Sequence, residues 1–530
     1  MIISTLTTVA ANYYYEPNAK IDGRIDVILQ TLSARCGLAL PSGFYQQPLN
    51  YHEIRTFLTQ AENCEYLTHS DKELLQILQS KYSGENKIFG HEDSVGKKRI
   101  QVNLDLTGDI RGNYADATHA LDAFGIISPK ISANFGTVSL YSEMDVWTQY
   151  RSDTVWYRHD YSPFRGQTYN IIGDDSSSLR ALDSFRGGAS MQFEKARIDV
   201  AVDNLTSGPA VYNRLILNAV NNPIFYTRFV LDFGRVQYYQ IFGLLKELRY
   251  HNKFLYYHRL QFPFFQNKLV LGFNASIVSG TIADEATMRE PHGQYVWFTQ
   301  NERKIEPSYM IPFVPYLFAE HYNGDRDNVQ MDFDFELRFP QSVRWYGEFL
   351  LNDATAPHTI FSDSWVNKWA FTLGTQWFPI VAGKTTVFGF EYCRVEPWVY
   401  THFGGVATNH EHYGKSIGAE LGPNSAQIRG LAQVFLSQRH GFQLDAVHSR
   451  FNRNARGGNI GDVFVYDYYP DYNLIPDSQT KEFLGKDYSS EYEVTLSHLF
   501  RQFQRYEMKT SLIYGSEKGI GIGFWGGWRF

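Results

Sequence analysis

The chain has 530 residues, more than one soluble core usually organises, so it reads as several domains or one large closed architecture. With 43% hydrophobic and 20% charged residues it is not a disordered chain, and a net charge of −7 excludes the basic surplus expected of a nucleic-acid binder. Aromatic content is high, with 39 Phe, 36 Tyr and 10 Trp making 16%, yet mean hydropathy is only −0.34. No uninterrupted apolar run approaches the roughly 20 residues of a membrane helix. The longest candidates are broken by Lys246 or by Pro312 and Pro315. Helical spans are therefore excluded, whereas a barrel of strands alternating apolar and polar residues is not.

Residues 1–19 read as a partial export signal and leader: Met1 to Ala11 is small and apolar, and Val9-Ala10-Ala11 resembles a signal cleavage site. The segment lacks a positive n-region, so an ordinary leading stretch is the alternative. The three cysteines, Cys36, Cys64 and Cys393, form neither a disulfide framework nor a metal knuckle. They read as isolated thiols, with a Cys36–Cys64 bridge as the alternative.

Residues 20–97 form a helical unit. Ile25, Ile28, Leu29 and Leu32 recur at helical spacing and Gly37 stops the run. Asn50 with Glu53 makes a capping box for a second helix through about Glu62, and Ser70 with Glu73 opens a third that ends near Gly84.

From about Lys98 the period changes to two. Gln101, Asn103, Asp105, Thr107 and Asp109 alternate with Ile100, Val102, Leu104, Leu106 and Ile110. Gln330 to Phe339 repeats the pattern, with Asp332, Asp334, Glu336 and Arg338 against Met331, Phe333, Phe335 and Leu337. Such runs predict about eighteen strands, near 99–111, 128–136, 138–150, 185–194, 196–203, 226–234, 237–247, 253–264, 267–278, 330–339, 343–352, 367–378, 385–398, 426–437, 441–450, 489–500, 505–514 and 518–530. Joints alternate between short (around 195, 265, 341, 439 and 502) and long (151–184, 204–225, 279–329, 399–425 and 451–488). Short turns on one side and long loops on the other are the pattern of a transmembrane barrel. The last strand places Ile520, Ile522, Phe524, Trp528 and Phe530 on one face. Phe524, Trp528 and Phe530 are read as its membrane-insertion signal, addressed by the barrel assembly machinery.

No G-x-S-x-G, H-E-x-x-H, P-loop or EF-hand pattern occurs. His410, Glu411 and His412, with His402 nearby, match no standard metal spacing and read as a solvated loop; Asp174 and Asp175 read as a polar loop tip. The expectation is no enzyme, no metal and no cofactor. Asp105, Asp109, Arg197, Asp199, Asp332, Asp334, Glu336, Arg338, Arg344, Glu348, Glu391, Glu491 and Glu493 face inward, either lining a water-filled channel or bracing the lumen as ion pairs. The outer loops hold Trp156, Tyr157, Tyr161, Tyr295, Trp297, Trp365, Trp398, Tyr400, Tyr466, Tyr468, Tyr469 and Tyr472. Ring faces stack on sugars, and Trp156, Tyr157, Trp297, Trp398 and Tyr400 are the candidate polysaccharide-binding residues. Trp147, Trp345, Trp377 and Trp525 sit on strands and read as an interfacial aromatic girdle.

The chain resembles the Wzi-type capsule assembly family of outer-membrane proteins. The resemblance begins in the helices, in the stretch from Ile21 through QQPLNYHEIRTFLTQAE, which ends at Glu62. It continues through DNLTSGPAVYNRLILNAVNNP (203–223) and HRLQFPFFQNKLVLGFN (258–274), and is most specific in DNVQMDFDFELRFPQSVRWYGEFLLNDA (327–354). FEYCRVEPWVYTHF (390–403) and HYGKSIGAELGPNSAQIRG (412–430) follow. Val202-Asp203-Asn204 and Ser207-Gly208-Pro209 stand where the family tends to carry Gly-Arg-Asp and Trp-Gly-Pro. The resemblance implies a lectin-like barrel capped by periplasmic helices that holds surface polysaccharide.

The combined expectation is an all-β transmembrane barrel of about eighteen antiparallel strands over 98–530, closed, with a three-helix unit on the periplasmic side and long extracellular loops. It would sit in the bacterial outer membrane among outer-membrane lipids, bind capsular or other surface polysaccharide, and bind no nucleic acid. A channel for sugars or small solutes is the first rival; an outer-membrane hydrolase with a loop-assembled site is the second.

Overall fold

The structure, a computed structural model, describes residues 23–49, 51–82, 89–92, 98–113, 121–135, 137–151, 179–246, 252–281, 304–324, 327–339, 343–353, 357–402, 407–455, 457–460, 480–502, 506–516 and 519–529. Three helices come first: α1 (Gly23–Cys36), α2 (Tyr51–Glu62) and α3 (His69–Tyr82). Their apolar stripes converge on one cluster, with Ile28, Leu29 and Leu32 against Ile54, Phe57, Leu58, Leu74 and Leu78. The box opening α3 is Thr68 with Asp71, not Ser70 with Glu73. Thr68 N–H donates to the Asp71 carboxylate (3.1 Å) and Asp71 N–H to the Thr68 hydroxyl (3.2 Å). Ser70 is thereby left to accept the backbone N–H of Thr385 (3.0 Å). Cys36 and Cys64 are disulfide-bonded, which corrects their reading as isolated thiols; Cys393 is free and buried.

Eighteen strands of nine or more residues follow among the described residues. They are β1 (Lys98–Asn113), β2 (Leu121–Phe135), β3 (Val138–Arg151), β4 (Leu179–Gln192), β5 (Ala196–Ser207) and β6 (Leu217–Asp232). Next come β7 (Gln237–Leu245), β8 (Lys253–Phe264), β9 (Leu269–Gly280), β10 (Asn328–Phe339), β11 (Val343–Asp353) and β12 (Lys368–Trp377). The last are β13 (Lys384–Val395), β14 (Ser425–Phe435), β15 (His440–Phe451), β16 (Ser489–Gln502), β17 (Tyr506–Gly515) and β18 (Gly519–Arg529). Each pairs antiparallel with the next, and β18 pairs with β1 from Gly521 opposite Asn113 to Arg529 opposite Asp105. Every predicted strand has a counterpart. β2, β4 and β6 start earlier than expected, at Leu121, Leu179 and Leu217, because small or amide residues such as Asn221 and Asn222 blur the alternation there.

Joint lengths follow the expected parity. Connections 136–137, 193–195, 233–236, 265–268, 340–342, 378–383, 436–439 and 503–505 lie at one end, and those that include 152–178, 281–327, 396–424 and 452–488 at the other. The exception is the last hairpin, 516–518, which is short although it belongs to the long-loop end. Phe333 and Phe335 point out and are exposed, while Asp332, Asp334 and Glu336 point in and are buried. Exposed rings cluster near the short turns. Trp377 stacks on Phe388 (5.6 Å between centroids) and Trp528 meets Tyr506 edge-on (5.7 Å). Trp345 joins them; Trp525 departs from the girdle expectation, since alternation places it on the face opposite Phe524 and Trp528.

The helical unit docks at the short-turn end. Its buried cluster is completed by Val270, Phe378, Val387, Leu431 and Phe435 from the barrel wall. Residues 44–48 reach further in. Gln46 and Gln47 pair with Ser207 and Thr206, and Arg228 donates to the carbonyls of Gln46 (3.2 Å) and Pro48 (3.3 Å).

Candidate functional site

The lumen wall decides what this molecule can admit. Its inward charges are mutually satisfied over a broad arc. Arg259 pairs with Asp334, and Asn274 bridges Asp332 and Asp334 at 2.7 Å each. Glu336 sits between Arg338 and Arg344 (2.7 Å to Arg344 Nε). Asp199 accepts from Arg228 (2.7 Å), Arg197 (3.2 Å) and Ser190 (2.6 Å). Of the two readings left open for these residues, bracing by ion pairs holds for Arg197, Asp199, Asp334, Glu336, Arg338 and Arg344. Charges that have left water need such partners.

Two further carboxylates act differently. Glu348 on β11 accepts the backbone N–H groups of Ala210 (2.8 Å) and Leu215 (2.7 Å). Glu391 on β13 accepts those of Val211 (2.9 Å), Tyr212 (3.1 Å) and Asn213 (2.8 Å), plus the Tyr346 hydroxyl (3.0 Å). Residues 208–216 join β5 to β6, several strands away around the sheet, so the segment must cross the lumen to reach them. A register shift between Asp203 and Leu205 releases the ends of β5 and β6 from the wall. Gly208 has φ +108°, and a Cβ there would lie 2.3 Å from the Glu348 carboxylate, so the turn requires glycine. Below, Gly208 N–H donates to the Tyr45 carbonyl (2.9 Å), joining the crossing segment to the helical unit.

A third layer lies above. Loop 396–424 folds back into the barrel. The Tyr400 hydroxyl donates to the Leu215 carbonyl (2.7 Å) and accepts Ala419 N–H (2.9 Å), and Tyr400 N–H donates to Asn352 (2.8 Å). His410 Nε2 meets the Ile216 carbonyl (2.7 Å); His412 Nδ1 accepts Lys246 N–H (2.8 Å) and its Nε2 meets the Pro223 carbonyl (3.1 Å). Both nitrogens of His412 are engaged, one as acceptor, which fits the neutral ring. Burial pushes His410 and His412 down to about 3 and lowers His402 as well. The expectation of a solvated His410-Glu411-His412 loop is thus corrected: all three are buried as packing and hydrogen-bonding groups. No group of three or more potential metal ligands occurs among the described residues.

The filling is one-sided. Inward side chains of β8 to β13 are buried, whereas Asp445, Val447, Glu491 and Glu493 on β15 and β16 are half-buried. Arg429 stands over the Tyr212 ring (3.7 Å) and pairs with Asp445 (2.6 Å) where the filled and half-open sides meet.

Compared with solved structures, the chain matches Wzi, an outer membrane protein involved in group 1 capsule assembly in Escherichia coli and described as a carbohydrate-binding β-barrel. The TM-score is 0.60 at 12% identity, covering 98% of this chain and 99% of that one. The chain has the fold of Wzi. Outer membrane proteins of Pseudomonas aeruginosa match more distantly: OpdK at TM-score 0.43 and 7% identity (81% and 98% covered), and OprD at 0.39 and 8% (81% and 94%). At those scores the Pseudomonas likeness decides nothing. No protein-family model and no curated protein matches the sequence.

Among the expected ring residues, Trp156, Tyr157, Trp297 and the insertion residue Phe530 lie outside the described residues. Trp398 and Tyr400 are 4% and 0% exposed, so neither offers an open ring face here. Trp398 instead packs on Gly457, where a Cβ would come within 2.6 Å of the indole. The backbone N–H of Trp398 donates to the Gly457 carbonyl (2.9 Å), tying loop 396–424 to loop 452–488. The roles of Glu348 and Glu391 as anchors were not read from sequence; the one signal was Gly208-Pro209 in a joint that alternation could not assign.

Proposed function

We propose that this chain is a closed, eighteen-stranded outer-membrane barrel that binds surface polysaccharide at its long-loop end and does not serve as an open pore. The observation that carries the reading is the segment 208–216, hung across the lumen from Glu348 and Glu391 and covered by loop 396–424. A peptide hung across the lumen obstructs a conduit, whereas an attachment protein needs only a stable cylinder and presented loops. Likeness in fold to a carbohydrate-binding barrel supports the ligand class. In this reading the helices lie in the periplasm and the long loops outside, with Trp156, Tyr157 and Trp297 as the stacking rings.

A solute channel is the second reading, and the half-buried flank of β15 and β16 is what favours it. The test joins two measurements on the purified full chain. Retention of purified capsular polysaccharide on immobilised chain, with no steady current in planar bilayers, is the expected pair. Steady ohmic current without polysaccharide retention would establish the channel instead.

A further inference from the structure

Residues 304–324 carry one of the longest apolar stretches of the chain, broken by Pro312 and Pro315. They contain a 3-10 turn, Pro307–Met310, and a short helix, α4 (Tyr316–Tyr322). Although they belong to the long connection 281–327, they do not stand above the barrel. Alternation fixes which wall they cover. Tyr257, Arg259 and Asn274 face the lumen, so Tyr256, His258, Ala275 and Ile277 face out, and these outward residues are the ones the segment buries. Tyr316 lies on His258 (4.2 Å between centroids), Tyr309 meets Tyr256 edge-on (5.1 Å), and Phe313 stacks on Tyr238 (4.1 Å). Polar ties pin it down: Phe313 N–H donates to the Tyr238 hydroxyl (2.9 Å), Gln240 to the Met310 carbonyl (2.9 Å), and Glu306 N–H to the Tyr256 hydroxyl (2.7 Å). Residues 253–259 are buried without a break, as expected of a strand covered on both faces.

We propose that 304–324 is an external strap embedded in the membrane, its outer face lying among lipid acyl chains. This rests on the transmembrane reading above. Two observations identify the occupant. First, most of the strap's large exposed side chains are apolar or aromatic, among them Ile311, Phe313, Leu317, Phe318 (71% exposed) and Tyr322 (87%), with Lys304 and His321 the exposed polar exceptions near its two ends. Its carboxylates are drawn in, Glu320 being 2% exposed and Glu306 accepting from the Ser308 hydroxyl (2.9 Å). Second, this surface continues the outward band of Leu271, Phe333 and Phe335 on the adjoining strands. The strap also explains how Gln240, a polar side chain on the outward face, is tolerated: the Met310 carbonyl accepts from it. The strap takes the place of lipid over Gln240, to which hydrocarbon could offer no hydrogen bond.

The test uses single cysteines in the full chain, since Cys36 and Cys64 are bonded and Cys393 is buried. Phe318→Cys and Tyr322→Cys carry an environment-sensitive fluorophore in phosphatidylcholine vesicles. Phe335→Cys on the barrel wall and Phe265→Cys in a short turn are the lipid and water references. The strap positions should show blue-shifted emission and lose as much fluorescence to acyl-brominated lipid as position 335 does. Water-like emission at both strap positions, quenched by iodide while position 335 remains lipid-quenched, overturns the strap alone, and relief of that iodide quenching by polysaccharide would make it a glycan face. Water-like emission at 335 as well overturns the membrane reading together with it.

Discussion

Replacing Glu391 by Ala removes the carboxylate that holds the middle of the lumen-crossing segment. Three backbone N–H groups, those of Val211, Tyr212 and Asn213, lose their acceptor at once, and the Tyr346 hydroxyl loses its own. A hydrogen bond to a charged group is worth about 1.5–3 kcal/mol. Counting the backbone donors alone, at the low end, gives roughly 4–5 kcal/mol in favour of the crossed state. That is roughly three orders of magnitude in population between the segment hung and the segment released. The wall itself keeps its ladders, so a barrel should still assemble. Planar-bilayer recording of the E391A chain should show transient openings absent from the parent, and the E348A/E391A pair should show longer ones. A gel shift on heating checks that both variants fold as barrels. If the double variant assembles and stays as silent as the parent, the carboxylates do not hold the segment and the reasoning fails.

Acidification should loosen the upper layer. His410 and His412 are held neutral with values near 3, so below about 6.5 the undocked loop takes up protons that the docked loop cannot. Stability is fully present above about 6.5 and is lost as pH falls toward 3; at pH 5 the two rings together give up about 4 kcal/mol. Hydrogen exchange across 407–424 should lose protection at pH 5 relative to pH 7, after correction for intrinsic rates, and unchanged protection would contradict this. Reducing Cys36–Cys64 should cost the helical unit about 3.5 kcal/mol for a loop of this length. Protease should then cut α1 to α3 at lower temperature while the barrel persists; equal resistance with and without reductant would refute it. Trp156→Ala with Trp297→Ala should weaken polysaccharide retention more than tenfold at about 1 kcal/mol or more per ring, with barrel yield unchanged. Trp398→Ala should instead expose 396–424 and 452–488 to protease, because its indole fills the space above Gly457.

The wall was legible because its chemistry repeats every second residue. Asp332, Asp334 and Glu336 against Phe333 and Phe335 give a strand, a register and two faces without any partner being known. The helices were legible for the same reason at a different period. Whatever depends on contacts between remote segments was not. Glu391 in sequence is one inward charge among many, and only the fold places it opposite the N–H groups of residues 211–213. The buried state of His410 and His412 was hidden because a loop rich in polar residues reads as solvated until something is seen to cover it. The capping box of α3 was misread by two residues because Thr68 and Ser70 are chemically equivalent caps. Their assignment turned on Thr385, which lies more than three hundred residues away.

The shared core at the short-turn end has a consequence for the order in which this protein can be made. The three helices precede the strands in the chain, yet the side chains that finish their apolar interior, Val270, Phe378, Val387, Leu431 and Phe435, lie far downstream. Until those strands are in place, Leu32, Leu58 and Leu78 lack one wall of their surroundings and stay partly wet. A part synthesised before the strands is therefore among the last to reach full stability. Full burial of the helical unit follows, and depends on, formation of the cylinder beside it.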